Sequence, residues 1–183
     1  MKKTIAFFNF IVWVVVVSLF TTATTTHAAP YGKGNYGDNV PYGSQTALSI
    51  STDGNVGIPI TPTTGGTLAT GTSTVTVSST DVVGYKLYIR SLTSTNMVNG
   101  GAVLPASANG SPTALSVNTW GYNTDASTNF VGMTLSDVLL KSVTGPVSGG
   151  DPTTVTYGVK IDLAKPSGNY TTTVIYTAVP QTI

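Results

Sequence analysis

From Ala47 onward the chain is written in alternation. In GYKLYIRSL (84–92), Tyr85, Leu87 and Ile89 fall on one side of an extended chain, and Lys86, Tyr88 and Arg90 on the other. A period of two sends successive side chains to opposite faces, so this segment predicts a strand with one buried and one wet face. TSTVTVSS (72–79) sets Val75 and Val77 against hydroxyls, and TTVTYGVKIDL (153–163) sets Val155, Tyr157, Val159, Ile161 and Leu163 against Thr156, Lys160 and Asp162. NYTTTVIYTAV (169–179) is dense in Thr, Val, Ile and Tyr, the residues that fit a pleated, half-buried surface. TALSVNTWGYNT (113–124) holds a weaker strand ending at Trp120. ALSIS (47–51) and VGIPI (56–60) flank Asp53-Gly54 and read as a hairpin, with Pro59 marking an edge or a bulge.

Short strands with turn signals roughly every ten residues predict an all-β fold, an immunoglobulin-like β-sandwich of about 7–9 strands. Only GMTLSDVLLKSV (132–143) carries helical spacing, through Leu135, Val138 and Leu139, and one short helix near 134–142 is expected there. In KPSGNYTTT (165–173), Tyr170 follows a Ser-Gly-Asn turn at the start of a strand. That is the setting of a tyrosine corner, in which the hydroxyl folds back onto nearby backbone; an ordinary strand tyrosine is the other reading.

The first residues set the compartment. Lys2 and Lys3 precede an apolar run, IAFFNFIVWVVVVSLF (5–20), and a small polar stretch ending in alanines. This is the layout of a secretory signal peptide, with cleavage expected after Ala28. As a membrane helix the run would span roughly 24 Å, short of the ~30 Å hydrocarbon core. The expected organisation is therefore a signal peptide at 1–28, an arm at 29–46 and a domain at 47–183. An uncleaved anchor is the alternative, and this segment is the only membrane contact foreseen. The exported part is expected to be one domain without a C-terminal anchor.

The arm, APYGKGNYGDNVPYGSQT, sets Tyr31, Tyr36 and Tyr42 among glycines. Its glycines argue against a continuous strand within its own domain. It reads either as a tether or as a docking arm that anchors to a neighbour through its rings.

The inventory of side chains argues against catalysis. The chain has no Cys and no Glu, and its one His, His27, precedes the expected cleavage site. Cys-His and Ser-His-Asp nucleophiles cannot be assembled, and zinc lacks its usual ligands. Paired carboxylates could serve a glycosidase, but the aspartates are scattered and sit mostly at turns, as Asp53 before Gly and Asp151 before Pro. Past Ala28, six basic and seven acidic residues leave a net charge near −1. No basic patch is present for nucleic acid. No cofactor is expected.

The most tempting binding stretch is NTWGYNTDASTN (118–129). Trp120 and Tyr122 offer rings on which a sugar can stack, and Tyr88 adds another on a wet strand face. Asn123, Asp125 and Asn129 offer oxygens to calcium, although their spacing matches no calcium loop. Against this, a lone large ring in a sandwich usually fills the core, and Asn/Asp/Ser runs are ordinary loop chemistry.

VSSTDVVGYKLYIRS (77–91), NTWGYNTD (118–125), TTVTYGVKIDLAKPSGNYTTTVIYTAV (153–179) and the Tyr-Gly run together resemble secreted surface proteins of Saccharibacteria-type candidate-phylum bacteria. The closing PSGNYTTTVIYTA is also similar to the last strand of WxL cell-wall-binding and pilin-like sandwich domains. The resemblance implies a bacterial surface location and no activity. The W-x-L motif itself is missing, since Trp120 is followed by Gly-Tyr, so wall binding does not transfer with it. The expected function is a secreted, non-enzymatic structural or adhesive surface protein that self-assembles by strand addition; a carbohydrate- or wall-binding module is the alternative. The expected partners are other copies, other surface proteins, and wall or host glycans.

Overall fold

A computed structural model describes residues 10–16, 47–80 and 83–181. Its strands, in chain order, are β1 (Phe10–Val16), β2 (Leu48–Thr52), β3 (Val56–Gly57), β4 (Thr67–Ser79), β5 (Tyr85–Ser91) and β6 (Met97–Asn99), followed by β7 (Ala102–Leu104), β8 (Thr119–Asn123), β9 (Val138–Val143), β10 (Val147–Ile161) and β11 (Tyr170–Pro180). They form two packed sheets. One runs β3-β1-β11-β5-β9, with the β6–β7 pair alongside β11, and the other runs β2-β4-β10-β8. Every ladder between named strands is antiparallel except β1–β11. The chain is an all-β sandwich.

The alternation read from the sequence becomes its core. Val75 and Val77 of β4, Trp120 and Tyr122 of β8, and Val155, Tyr157, Val159 and Ile161 of β10 come from the second sheet. They meet Tyr85, Leu87 and Ile89 of β5 and Tyr170, Val174 and Tyr176 of β11 from the first. The sheets also join through a buried hydrogen bond between the Tyr157 and Tyr176 hydroxyls, 2.6 Å apart. Burial, reinforced by the neighbouring phenol, pushes Tyr157 well above the usual phenol range; burial likewise pushes Tyr176 upward. Both stay protonated, as a buried phenol must to avoid an uncompensated charge.

A second, smaller cluster covers the outside of the β8–β10 pair. Gly121 and Gly158 stand opposite each other in that ladder. A Cβ on Gly158 would meet the Phe130 ring at 2.5 Å, and one on Gly121 would meet the Val131 carbonyl at 2.5 Å. The two glycines thus clear the space in which Phe130 is fully buried. Asn109 holds this cover down by donating through Nδ2 to the carbonyls of Thr113 and Phe130, each at 3.1 Å.

Four expectations change. The segment at 134–142 is not helical: Val138–Val143 is β9, paired antiparallel with β5. A helix there would have had no partner for its apolar stripe, whereas β5 offers a free edge; Leu135 and Leu139 remain about half exposed. The strands flanking Asp53-Gly54 do not pair with each other. β2 pairs with β4 and β3 with β1, so the turn carries the chain from one sheet to the other. Asp53 explains this, because its carboxylate accepts from the Ser73 hydroxyl (2.7 Å) and the Thr74 N–H (2.8 Å) of β4 instead of closing a hairpin. The strand near Trp120 begins at Thr119 and runs through the ring to Asn123, rather than ending at it. The eleven strands among the described residues also exceed the expected 7–9, because β1, β9 and the short β6–β7 pair add to those read from alternation.

Tyr170 makes the expected corner. Its side chain is buried, and its hydroxyl donates to the Pro166 carbonyl at 3.1 Å. Tyr170→Phe keeps the ring and removes the bonds of its hydroxyl, the corner bond to Pro166 among them, and is expected to lower stability by about 1–2 kcal/mol in urea denaturation. An unchanged midpoint would show the corner bond to be energetically idle.

Candidate functional site

Four of the five basic residues among the described residues lie in ladders. Lys86 and Arg90 lie on β5, Lys141 on β9 and Lys160 on β10. Lys141 Nζ lies 2.6 Å from Asp151, which also accepts from the Tyr85 hydroxyl at 2.7 Å. Burial alone would raise the Asp151 carboxyl, but the Lys141 ammonium and the Tyr85 hydroxyl outweigh it and hold the acid below its ordinary range. Burial, and then the bond to Asp151, drives the Tyr85 phenol far upward. Lys165 lies in the turn before β11 and donates to the Val103 carbonyl at 2.7 Å. These contacts of Lys141, Asp151, Tyr85 and Lys165 brace the structure.

The rings singled out in the sequence do not converge. Trp120 is fully buried, with its indole N–H donated to the Thr95 carbonyl at 2.9 Å. Tyr122 is 4% exposed, and burial raises its phenol. Neither ring has a face open for sugar stacking, which corrects that expectation; both belong to the core. Tyr88 lies half-buried on the opposite sheet, in register with Thr177 and Leu139. Tyr31, Tyr36 and Tyr42 lie outside the described residues.

The polar run after Tyr122 folds into a turn held by side-chain-to-backbone bonds, with the buried Asn123 Oδ1 left without a hydrogen-bond partner among the described residues. Asn123 Nδ2 donates to the carbonyls of Ser127 (2.9 Å) and Asn129 (2.8 Å), and Asp125 accepts from the Ser127 N–H at 3.1 Å. The Ser127 bonds hold the exposed Asp125 carboxyl below its ordinary range. Asp125 and Asn123 rim a shallow, open depression of about 290 Å³, shared with Tyr122, Pro112, Val131 and Leu140. Among the described residues, no group of three or more His, Cys, Asp or Glu side chains is placed to hold a metal ion.

The feature with the most evident room for a partner is a strand position. β11 is paired on one side with β5 along Val174–Pro180 and with β6 at Thr171. Its other side, Tyr170–Tyr176, is taken along seven residues by β1, running parallel. Across β1, Ile11 and Val12 pair with Gly57 and Val56 of β3. β1 is the one described strand that precedes residue 47, and it comes from within the apolar run read as a signal peptide.

The walls of this position do not depend on β1 alone. β3 is held to the second sheet by packing onto β4: Val56 and Ile58 are buried, and a Cβ on Gly71 would meet their side chains at 2.6 and 2.8 Å. β11 is held by β5. Neighbouring strands lie about 4.8 Å apart, so the gap between β3 and β11 is two such spacings, the width of one inserted strand. The wall that β11 presents carries the buried Tyr170, Val174 and Tyr176 on its core side, with Thr171, Thr172 and Thr173 half-buried. Reading the sequence missed this slot, although the β-branched run from Ile11 to Val17 was a signal for strand as much as for signal peptide. No family model matches the chain, and no curated protein matches it by sequence.

Proposed function

We propose that this is a secreted, non-enzymatic structural or adhesive protein of a bacterial cell surface, an immunoglobulin-like sandwich whose subunits join by strand addition. The observation that carries the reading is the slot between β3 and β11, filled by a strand from outside the run that forms the rest of the sandwich. If Phe10–Val16 is removed with a signal peptide, one side of β11 loses its ladder partner along Tyr170–Tyr176. An open edge of this kind is a template for pairing with another chain. Lack of Cys and Glu, and the use of Asp53, Asp151 and Asp162 in structural bonds, support a role without catalysis.

The test is to express the full chain, collect the exported protein, and measure its mass and sedimentation. A product starting near Ala29 that forms concentration-dependent oligomers is expected. A product that stays monomeric up to high concentration would refute the assembly.

Glycan binding is a second reading, favoured by one observation: Tyr88 keeps part of its ring accessible on the outer face of β5. With Trp120 buried, this reading rests on Tyr88 alone, and silence of the exported protein on a glycan array would end it.

A further inference from the structure

A strand that fills the slot must match a demanding wall. Along β11 the wall reads Tyr170-Thr-Thr-Thr-Val174-Ile-Tyr176, with the two tyrosines and the valine buried on the core side. Thr172, between them on the same face, is polar and half-buried. In the parallel ladder these four positions stand opposite Phe10, Val12, Val14 and Val16. A replacement for β1 therefore needs large apolar residues at its first, fifth and seventh positions, and it can carry a polar residue at the third. Pairs in direct register on one face are the unit of sheet stability.

The chain holds such a segment in its arm. Tyr36-Gly-Asp38-Asn-Val40-Pro-Tyr42 is seven residues long and repeats the wall's own spacing, Tyr-x-polar-x-Val-x-Tyr. Laid into the β1 register, Tyr36, Val40 and Tyr42 stand opposite Tyr170, Val174 and Tyr176, and Asp38 stands opposite Thr172, whose hydroxyl would turn from its long 3.5 Å bond to the Ser94 carbonyl to donate to the carboxylate. Gly37 and Asn39 fall on the other face, opposite Thr171 and Thr173. Pro41 falls opposite Ile175, beyond Val12, where pairing with β3 has ended, so its missing N–H costs at most one ladder bond.

We propose that residues 36–42 of a second copy occupy the slot between β3 and β11 in the exported protein, replacing Phe10–Val16 in the same parallel register. The choice of slot, segment and register follows from the wall and the spacing. The choice of a neighbour's arm over the molecule's own rests on the self-assembly reading above.

The chain's lack of cysteine makes the test clean. Paired positions in adjacent strands lie about 4.8 Å apart, within reach of a disulfide. One preparation carries Asn39→Cys and another Thr173→Cys, each expressed as the full chain and collected after export. Mixed and oxidised, they are expected to give a disulfide heterodimer at a rate roughly a hundredfold above a Leu163→Cys control, as a millimolar effective concentration at a docked interface implies for protein at about ten micromolar. Gly37→Cys with Thr171→Cys provides an independent pair should Thr173→Cys fold poorly. Equal rates for the register pairs and the control would overturn the proposal. So would an intrachain disulfide in a single chain carrying Asn39→Cys and Thr173→Cys, which would place the arm in its own slot. Oligomers that persist without the register cross-link would sink the donor assignment and leave self-assembly standing. A monomer throughout would sink both.

Discussion

Trp120→Ala is expected to destabilise the domain by about 3–5 kcal/mol, a large share of the ~5–15 kcal/mol available to a domain of this size. The ring is the largest fully buried side chain, so its removal opens a cavity that its neighbours can only partly fill. It also frees the Thr95 carbonyl, which accepts the indole N–H. The loss will not stay local. The Trp120 backbone pairs with Val159 in β10, donates to the Pro105 carbonyl, and accepts from the Ser107 N–H, so a shift of this residue into the cavity would disturb β8 and the segment at 105–107 together. Trp120→Phe retains much of the volume and loses the hydrogen bond, at a smaller cost of about 1–3 kcal/mol. Urea unfolding followed by far-ultraviolet circular dichroism measures both without relying on the fluorophore that is removed. A cost below 1 kcal/mol for the alanine variant would contradict the core assignment.

Gly84→Ala is expected to rival it, at roughly 2–6 kcal/mol, combining about 1–3 for a strained backbone with about 1–3 for overpacking. Gly84 has φ +108°, which L side chains rarely adopt, and a Cβ there would collide with the Val143 carbonyl oxygen. Three strand ends meet at this point. The Gly84 carbonyl accepts from the Gln181 N–H just past β11, and the Gln181 amide donates to the carbonyls of Tyr85 on β5 and Val143 on β9. Relief by moving Val143 would therefore disturb the ends of β9 and β11 together. Gly65→Ala is the control: nothing lies within 4 Å of its Cβ and its φ is not in the left-handed region, so a change within about 0.5 kcal/mol is expected. Thermal midpoints of the two variants make the comparison.

Much of this fold can be read from the sequence where one face is wet. β5 alternates because only one of its sides meets the core, and Tyr170 announced its corner through the turn before it. Reading failed where a segment's partner is remote. Asp53-Gly54 has the chemistry of a hairpin turn, but the Asp53 carboxylate is used by β4, and no local pattern encodes that. Leu135, Val138 and Leu139 have helical spacing, yet the free edge of β5 decided the outcome. The β6–β7 hairpin was legible and overlooked, since Asn99-Gly100-Gly101 has the two-glycine loop that such turns favour. For the candidate site, the three arm tyrosines drew notice early, but the slot did not. A strand position is defined by two neighbours far apart in sequence, here Val56–Gly57 and Tyr170–Tyr176.

The placement of the few cations has a consequence for proteolysis. An enzyme that cuts after Lys or Arg needs an accessible, unpaired stretch of backbone, which loops and termini supply and strands do not. Within the domain Lys86, Arg90, Lys141 and Lys160 are all held in ladders. Lys165 lies in a turn, but it is followed by Pro166, a residue such enzymes accept poorly after the cut. Trypsin-like digestion is thus directed towards Lys33, three residues before the segment Tyr36–Tyr42. With four of the five cations of the described sandwich held in ladders, a trypsin-like protease finds few cuts there, and the rate of cleavage after Lys33 is the expected readout of whether Tyr36–Tyr42 is docked.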